Sequence, residues 1–554
     1  MNTFDLYCVN TGTKRTYPIG VTLMDIKDDF DIKLKNPIIG ALVNNRVKEL
    51  SFVIVKNKKV EFIDYSHPDG VRMYVRSLIF VLYASVKEVF PQVKLKMMHG
   101  ISRGYYCELS GLGRPVGESD IISIKSEMKQ LVLRDIPFEK IGLPNEEAVE
   151  ICRNQNLLYK AKLFQQQGDL FTYMYFMGEK ANYFFGDQVP STGYLKVFDL
   201  VPYYDGMLLR IPKPDNFNEV QPYSRHDKLF GIFQEHKDWA EILDVPNVAN
   251  LNEFTMHGQS GDIIKISEAL QEKKIAEIAN MIRDRNDEVK MVLIAGPSAS
   301  GKTTFSKRLM VQLAVNGLKT TMISLDDYFV DREKTPLDEN GELDFEDIKA
   351  IDVEYFNQQL LQLFNGETIE LPKFSFSLGQ RIPSGKNLQL APGNILIVEG
   401  IHGMNPNLIP HIHAENTFKI FLSALTQISI DDHNHISTTD NRMIRRMIRD
   451  SRYRKYTAAD TIRRWPSVRI GEDKNIFPYQ ENADVMFNSA MVYELAVLKK
   501  YADLLLQTVT ESMPEFSESN RLLKFLSYFK AIDDLEIPPT SVIREFLGGS
   551  SFIY

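Results

Sequence analysis

Strand-like runs alternate with amphipathic stretches in the second half of the chain. Residues 291–295, 319–325 and 395–398 have the length and apolar character of buried strands. Residues 304–315, between the first two runs, have helical spacing and end at a turn formed by Asn316 and Gly317. Because strands that alternate with helices usually form parallel sheets, this pattern predicts an α/β domain.

The first 65 residues show a different pattern, in which short strand-like runs are separated by turns. One helical segment, residues 22–30, has Thr22 placed to cap its N-terminus. The predicted strands cover residues 4–9, 16–18, 38–43, 52–55 and 59–63. This order predicts a small α+β roll.

Other segments connect and close the chain. Residues 212–257 are rich in proline, asparagine and aromatic residues, which predicts an irregular, partly packed connection. Residues 263–285 predict an amphipathic helix that leads into the strand at 291. From residue 511 onward the pattern predicts one or two amphipathic helices around Pro538 and Pro539, followed by an apolar end that docks on the protein.

Composition and charge narrow the class of protein. The length of 554 residues suggests roughly two to four domains, and the net charge of −8 argues against a protein that coats nucleic acid. A local basic surface is still compatible with that charge. The three cysteines form no C-x-x-C pair, and no apolar run approaches the ~18 residues of a membrane span. We therefore expect a soluble cytoplasmic protein.

The loop after residue 295 carries the most specific chemical signal. Residues 296–303 meet the pattern G-x-x-x-x-G-K-[ST], in which backbone N–H groups and a helix N-terminus surround phosphate oxygens. A turn before an ordinary helix is the alternative, but the strand before the loop and the helix after it favour a site for ATP and Mg²⁺. Lys302 would reach the β- and γ-phosphates, and the Thr303 hydroxyl would hold Mg²⁺. The predicted nucleotide-binding residues are Gly296, Ser298, Ala299, Ser300, Gly301, Lys302, Thr303 and Thr304.

Two strand ends carry carboxylates that fit the same site. Asp326 and Asp327 follow the second strand, and Glu399 ends the strand that starts at residue 395. The carboxyl ends of parallel strands face the ligand crevice, where Asp326 could take a proton from a hydroxyl or hold Mg²⁺ through water. A simple cap of the strand end is the alternative reading of these aspartates. Glu399 facing Thr303 and Asp326 would suit Mg²⁺, which prefers few carboxylates plus phosphates and water.

Five motifs in this half resemble the uridine kinase/phosphoribulokinase family. They are residues 296–304, 324–329, 371–376, 397–400 and the basic helix 441–454, and they follow the order of the family over roughly residues 288–505. The resemblance implies that Asp326 is the catalytic base for a nucleoside 5′-hydroxyl and that Glu399 supports Mg²⁺. It implies substrate contacts for Glu346, Phe374, Phe376 and Arg381. The two phenylalanines could equally be core residues of a strand.

The arginine-rich helix 441–454 is expected to be the lid of that kinase. Its side chains would neutralise the charge of the transferred phosphoryl group, although a solvated face or an acidic partner would also explain such a helix. By resemblance, the catalytic arginines are Arg449, Arg452 and Arg454. Gly379 stands where uridine kinases have a histidine that contacts the base, and glycine has no side chain to read a base edge. The identity of the phosphate acceptor therefore stays open.

The first half resembles parts of aminoacyl-tRNA synthetases. Residues 17–22 and 41–46 resemble the TGS domain, a β-grasp module. Residues 104–108, 124–128 and 189–193 resemble the second additional domain of threonyl- and alanyl-tRNA synthetases. In that family the domain edits tRNA with an H-x-x-x-H pair and a later C-x-x-x-H pair. The aligned positions here are Arg76, Phe80, Phe184 and Gln188, which are not metal ligands, so we expect the editing chemistry to be absent.

Other histidines are weaker candidates for a metal site. The segment 431–435 contains two aspartates and two histidines, but no further ligand stands at a suitable spacing, so we expect a polar loop before the lid. His67 and His99 likewise have no partner at ligand spacing, which favours ordinary surface or core histidines.

These observations predict a P-loop kinase domain with a parallel sheet, preceded by a β-grasp domain and an α+β domain of the synthetase-editing type. The predicted boundaries are 1–65, 66–212, 213–287 (linker and helix), 288–505 (kinase) and 506–554 (helical tail). The predicted function is transfer of a phosphoryl group from ATP to a nucleoside-like hydroxyl. An RNA- or ribosome-associated regulator that uses ATP as a switch is the alternative, with RNA and a second copy of the chain as partners that stay open.

Overall fold

The computed structural model describes residues 3–213, 216–339 and 341–553. The N-terminal region forms one five-stranded sheet in which the first strand and the last strand pair in parallel and all other pairs are antiparallel. Its elements are β1 (Thr3–Cys8), β2 (Thr13–Pro18), α1 (Leu23–Ile26), β3 (Gly40–Val43), β4 (Arg46–Lys48) and β5 (Lys58–Ile63). The strand order is β2-β1-β5-β3-β4, which confirms the α+β roll.

One local prediction in this region is wrong: residues 52–55 form no strand, since Val53 makes only an isolated bridge to Thr22, and β4 was not predicted. Whether a short strand forms in a small sheet depends on its pairing with neighbouring strands, so local sequence patterns do not predict it reliably. The predicted helical segment is confirmed, because Thr22 caps α1 and the helix continues as a 3-10 turn up to Asp29.

The middle region is built around one long helix, α2 (Pro68–Val89), most of whose side chains are buried. Its other elements are β6 (Lys94–Ile101), β7 (Gly104–Ser110), α3 (Glu118–Leu133), β8 (Glu139–Pro144), α4 (Asn145–Asn154), α5 (Leu158–Gln167), β9 (Phe171–Met177), β10 (Lys180–Asn182), β11 (Asp199–Tyr203) and β12 (Gly206–Arg210). They include a sheet ordered β11-β12-β7-β6 and a sheet ordered β10-β9-β8. Both sheets are antiparallel.

Three helices connect the middle region to the parallel sheet: α6 (Asp227–Ile242), α7 (Val248–Met256) and α8 (Ser260–Arg283). The prediction of an irregular connection over residues 212–257 is wrong, because α6 and α7 lie within it. Ile232, His236 and Ala240 are buried at four-residue intervals along α6, a helical period that the proline-rich flanks obscured. Pro214 and Asp215 of this connection lie outside the described residues. The predicted helix over 263–285 is confirmed by α8.

The kinase region contains a five-stranded sheet that is parallel throughout, as predicted. Its elements are β13 (Met291–Ala295), α9 (Lys302–Val315), β14 (Thr320–Ser324), α10 (Val353–Phe364), β15 (Thr368–Ser375), β16 (Gln380–Gln389), β17 (Ile395–Glu399), β18 (Thr417–Ser423), α11 (Thr438–Arg454), α12 (Ala458–Asn475), β19 (Val485–Asn488) and α13 (Glu494–Leu506). The order β14-β17-β13-β18-β19 places β13, buried at every position, in the centre. Strands β15 and β16 form a separate antiparallel hairpin.

The chain ends in two further helices, α14 (Phe516–Leu526) and α15 (Arg544–Leu547), with Pro538 and Pro539 between them. One continuous apolar core joins side chains from α2, α7, α11, α13 and α14. Ion pairs cross the same boundary, such as Lys160 with Asp431 at 3.3 Å and Arg72 with Glu518 at 2.8 Å. The synthetase-like half and the kinase half are therefore packed directly against each other.

None of the helices in the described part of the chain is long and apolar enough to cross a membrane.

Candidate active site

The loop between β13 and α9 has the backbone that a phosphate-binding loop requires. A Cβ on Gly296 would lie 2.2 Å from the carbonyl oxygen of Leu422, so only glycine fits against β18. Gly301 caps α9 with φ at +83°, and Ala299 also lies in the left-handed region with φ at +60°. The Ser300 side chain is buried, and its hydroxyl has no hydrogen-bond partner among the described residues. Buried polar atoms of this kind fit a loop that is built to surround a polar ligand.

Lys302 closes the two ends of this loop. Its Nζ donates to the carbonyl oxygens of Gly296 at 3.0 Å and Pro297 at 3.2 Å. Burial lowers the pKa of the Lys302 ammonium, while the carboxylates of Glu399 and Asp326 oppose that effect. The Lys302 ammonium is thus held at the loop, where its charge interacts with the carboxylates of Glu399 and Asp326.

The strand ends bring Glu399 to the predicted place beside Thr303. Glu399 Oε1 accepts hydrogen bonds from Thr303 Oγ1 at 3.3 Å and from Ser324 Oγ at 2.9 Å. The parallel register explains this, because Glu399 lies opposite Ser324 on β14 and Ile294 on β13. Asp326 is half-buried just beyond β14, and its N–H donates to Ser324 Oγ at 3.4 Å.

The charge balance at this edge of the sheet fits a divalent cation. Burial, followed by repulsion from Asp326, raises the pKa of Glu399 to about 7. A buried carboxylate and a hydroxyl beside a phosphate loop form the sparse donor set that Mg²⁺ uses, with phosphates and water as its other ligands. The described residues contain no cluster of three or more His, Cys, Asp or Glu side chains that would hold a metal unaided. Thr303, Glu399 and Asp326 are therefore the residues that would hold Mg²⁺ together with a bound nucleotide.

The first half of α11 is fixed to the outer side of the loop. Arg442 donates from Nε to the Ser298 carbonyl oxygen at 2.9 Å, and Arg445 donates from Nη1 to the Ala299 carbonyl oxygen at 3.4 Å. Both guanidinium groups are fully buried and paired, Arg442 with Glu472 and Arg445 with Glu494. The prediction of an arginine-rich lid over 441–454 stays a prediction, and in this structure buried ion pairs fix the first half of the helix beside the loop.

The three arginines predicted to be catalytic lie at the other end of α11 and do not all face the crevice. Arg454 lies 4.9 Å from the ring centre of Phe376, and its charge interacts with that of Asp326. The charge of Arg449 interacts with that of Lys302, and its Nε donates to Asp450 at 2.9 Å. Arg452, in contrast, is directed to the end of the chain, where its Nη1 lies 2.5 Å from the place of a Cβ on Gly548.

The predicted acceptor residues are spread over the hairpin β15–β16 and its surroundings. Phe374 is only 5% exposed and packs in the core, whereas Phe376 is 43% exposed, with the two ring centres 5.2 Å apart. Arg381 donates to Asp352 Oδ2 at 2.9 Å and stacks on Tyr355. Phe374 is therefore a core residue, the alternative that the sequence allowed, and Phe376 is the exposed member of the pair.

Glu346 lies beside the other face of the arginine helix. Burial raises the pKa of Glu346 to about 7, and the Arg446 guanidinium opposes this shift. Arg446 also donates to Ser298 Oγ at 3.2 Å. Glu346 is thus placed near the phosphate loop through Arg446, and its Cβ packs against Gly471 of α12.

Gly379 has a backbone role that the sequence comparison did not show. It stands directly before β16 with φ at +70°, and its N–H donates to the Ser375 carbonyl oxygen at 2.7 Å. A Cβ there would lie 2.8 Å from the Arg332 guanidinium carbon. Glycine therefore fits the tight turn of the β15–β16 hairpin, whatever the acceptor is.

Three glutamates at the phosphate loop were not predicted. Glu472 accepts the Ser298 N–H at 3.3 Å, Glu494 pairs with Arg445, and Glu545 reaches Thr304 from the end of the chain. Glu494 had a signal, because it is a lone acid in the apolar stretch of α13 and must be paired if buried. Glu472 and Glu545 stand in mixed sequences with no local signal, and only the tertiary fold brings them to the loop.

In the middle region, the residues aligned with the synthetase metal ligands lie close together, but their side chains are not metal ligands. The rings of Phe80 and Phe184 lie 5.7 Å apart in the core. Arg76 donates to the Asp187 carbonyl oxygen at 2.7 Å, and the Gln188 N–H donates to Glu49 at 3.1 Å. A pair of packed rings and a guanidinium offer no ligands to a divalent metal.

Three of the histidines that the sequence singled out, His67, His99 and His433, have structural contacts. His67 caps the start of α2 by accepting the Asp69 N–H at 3.1 Å, and His99 stacks on Phe233. The segment 431–435 is a loop before α11, as predicted, and most of it is buried. Asp431 is buried against Lys160, and His433 is hydrogen-bonded to Asn182, so this segment seals the contact with the middle region.

Comparisons with known proteins agree with this division of the chain. Residues 291–496 match the family described as the Phosphoribulokinase / Uridine kinase family. The N-terminal region is similar to threonine–tRNA ligases. The ligase of Polynucleobacter necessarius is 31% identical over 192 residues, which cover 34% of this chain and 30% of the ligase. The ligase of Clostridium kluyveri is 25% identical over 255 residues, which cover 45% of this chain and 38% of the ligase.

A solved structure described as a "Possible Uridine Kinase" from Bacillus stearothermophilus is 20% identical to this chain. It matches 38% of this chain and 100% of its own length, with a TM-score of 0.25. The chain spans about a third of the length of the two ligases. Together with the family match over residues 291–496, the phosphate loop and the parallel sheet indicate a P-loop kinase domain, which follows a region similar to threonine–tRNA ligases.

Proposed function

We propose that this protein is a kinase that transfers the γ-phosphoryl group of ATP to a hydroxyl of a nucleoside, of the uridine or cytidine kind, or of a related small molecule. One observation carries the proposal: Thr303, Glu399 and Asp326 converge at the carboxyl edge of the sheet beside Lys302. This arrangement provides a cation for a triphosphate, oxygen donors for Mg²⁺ and a base for an attacking hydroxyl.

The proposed reaction divides the work among these residues. Asp326 accepts the proton of the acceptor hydroxyl. The oxygen of that hydroxyl bonds to the γ-phosphorus of ATP, and the bond between this phosphorus and the oxygen of the leaving ADP breaks. Lys302 and Arg449 stabilise the charge on the phosphoryl oxygens. Thr303 and Glu399 would hold Mg²⁺, which neutralises phosphate charge when it is bound.

An acceptor that carries a planar ring agrees best with the crevice. Phe376 is the exposed member of an aromatic cluster with Phe329 and Phe374, and Arg454 lies against its ring. Exposed aromatic rings beside a cation are suited to stacking with a base. An acyclic alcohol would leave this surface unused.

The direct test is ATP consumption in the presence of nucleosides and of other small alcohols, with purified full-length protein. We expect turnover with pyrimidine nucleosides that requires Mg²⁺ and is lost in Asp326→Asn. Turnover with none of the alcohols, in a protein that binds ATP, would contradict the proposal.

The similarity to threonine–tRNA ligases favours a second candidate, an RNA-associated regulator that uses ATP as a switch. RNA affinity that falls steeply with salt, and that is weakened by reversing basic charges in residues 1–65, would support it. Turnover of a nucleoside without detectable RNA binding would favour the kinase alone.

A further inference from the structure

The end of the chain lies directly on the phosphate loop. Glu545, in the short helix α15, accepts two hydrogen bonds with its Oε2 atom. Thr304 donates both of them, from its backbone N–H at 3.2 Å and from its hydroxyl at 2.7 Å. The charge of Glu545 also interacts with that of Lys302. The carboxylate therefore lies within the predicted nucleotide site.

The Thr304 N–H belongs to the group of donors that binds phosphate in such loops. Thr304 is the third residue of α9, and the first four N–H groups of a helix have no acceptor within the helix. Together with the helix dipole they attract anions, which is how a phosphate loop holds a nucleotide. A glutamate carboxylate at this N–H takes the place that a phosphate oxygen would otherwise use.

Apolar contacts hold the same segment against the loop. Val542 and Phe546 are fully buried and pack with Ala299 of the loop. A Cβ on Gly301 would lie 2.4 Å from a methyl carbon of Val542, and the Arg445 guanidinium lies 5.0 Å from the ring centre of Phe546. The contact thus covers the middle of the loop as well as the start of α9.

Hydrogen bonds also hold the chain before and after this contact. Before the contact, Arg544 donates to the Asp534 carbonyl oxygen at 2.6 Å and to the Ile537 carbonyl oxygen at 2.9 Å. After it, Lys307 Nζ donates to the Ile553 carbonyl oxygen at 2.6 Å. The C-terminal segment, residues 541–553, is therefore anchored across α9 and not laid loosely over it.

We propose that the C-terminal segment is an autoinhibitory element that competes with ATP for the phosphate loop. Glu545 occupies the place of a phosphate oxygen at the Thr304 N–H. ATP can therefore accept a hydrogen bond from this N–H only when the segment moves away. The fraction of molecules with the segment displaced then limits the apparent affinity for ATP. The inference rests on the proposed function only for the identity of the nucleotide.

The test is a titration of the full-length protein with a fluorescent ATP analogue and Mg²⁺, without any acceptor. Glu545→Gln keeps the size of the side chain and removes its charge, and we expect it to bind the analogue about tenfold more tightly than the unmodified chain. Glu536→Gln is the matched control, because Glu536 is an exposed glutamate before the segment whose ion-pair partner is Lys265. We expect its affinity to be unchanged.

Hydrogen exchange gives a second readout. Amides of residues 541–553 should exchange faster after ATP is added to the unmodified protein, since ATP displaces the segment. Equal affinity in Glu545→Gln and the unmodified chain, weaker binding in the variant, or unchanged exchange on addition of ATP would each overturn the proposal.

These results separate the two proposals. Tighter binding in Glu545→Gln without turnover of any alcohol would support the autoinhibitory contact and contradict the kinase. Turnover of a nucleoside with equal ATP affinity in all variants would do the reverse.

Discussion

The resemblances predict a set of polar functional residues in the middle region and another in the kinase region. The side chains that occupy these two places differ. In the middle region, Phe80 and Phe184 pack ring to ring. In the kinase region, Glu399 is buried and Lys302 is half-buried, and the pKa values of both groups are shifted. Burying charge is costly unless a partner or a ligand compensates for it.

The place in the middle region also holds charges, Arg76 and Glu49, but main-chain partners satisfy them, since Arg76 donates to the Asp187 carbonyl oxygen and Glu49 accepts the Gln188 N–H. In the kinase region the Ser300 hydroxyl of the phosphate loop has no partner among the described residues, which fits a site that binds a ligand.

The largest effect that would sharpen this comparison is the loss of the proposed base. In Asp326→Asn we expect turnover to fall by about 10²–10⁴-fold, because the amide cannot accept the proton, while ATP affinity is retained. Asp327→Asn is the control, since the Asp327 side chain accepts the Phe374 N–H at 3.3 Å and an amide oxygen can do the same. Single-turnover rates and ATP titrations measure both quantities. Equal turnover in Asp326→Asn and the unmodified protein would contradict the role of base.

In the middle region the corresponding change should affect stability and not activity. Phe184→Ala removes a fully buried ring and is expected to lower the free energy of unfolding by about 3–5 kcal/mol. Leu170→Ala, at a side chain that is 83% exposed, is the matched control and should have little effect. Urea unfolding gives the comparison. A loss of ATP affinity in Phe184→Ala at temperatures where it is folded would show that this place still serves the nucleotide site.

The sequence predicted much of the kinase site, because its signals are local. The phosphate loop needs small residues in an unbroken run, and Glu399 and Asp326 follow apolar strands whose parallel arrangement puts their ends at one edge. It predicted less where contacts are distant. Helix α6 was missed because proline-rich flanks hid its period, and Glu545 has no local feature that directs it to Thr304, 241 residues away.

The same limit applies to residues whose chemistry was predicted but whose direction was not. Arg449, Arg452 and Arg454 are all basic positions near the end of one helix, yet Arg452 is directed to Gly548 and the other two to the crevice. Helical spacing decides which side chains share a face, but not which neighbour covers that face. That neighbour is the C-terminal segment, which only the fold reveals.

The stability of the protein should depend on pH through the buried carboxyl group of Glu399. Its pKa is raised to about 7 in the folded protein, so between the ordinary glutamate value and about 7 the folded state binds more protons than the unfolded state. Stability therefore decreases as pH rises through that window. In Glu399→Gln this decrease should be smaller, by roughly 1–3 kcal/mol between pH 5 and pH 8.

The measurement is urea unfolding at both pH values, without nucleotide or Mg²⁺. Glu367→Gln, at an exposed position, is the control and should follow the unmodified protein. A parallel pH dependence in Glu399→Gln and the unmodified chain would mean that folding does not raise the pKa of Glu399.

The smallest expected effect concerns Gly379. The resemblance relates this glycine to a changed acceptor site, whereas the structure relates it to a left-handed turn. If the left-handed turn explains the glycine, Gly379→Ala should lower the free energy of unfolding by about 1 kcal/mol and leave the order of preference among acceptors unchanged. Gly231→Ala is the control of opposite sign. Gly231 lies in α6 with open space around it, so alanine there should stabilise by up to about 1 kcal/mol. A changed acceptor preference in Gly379→Ala with no loss of stability would instead return this position to the acceptor site.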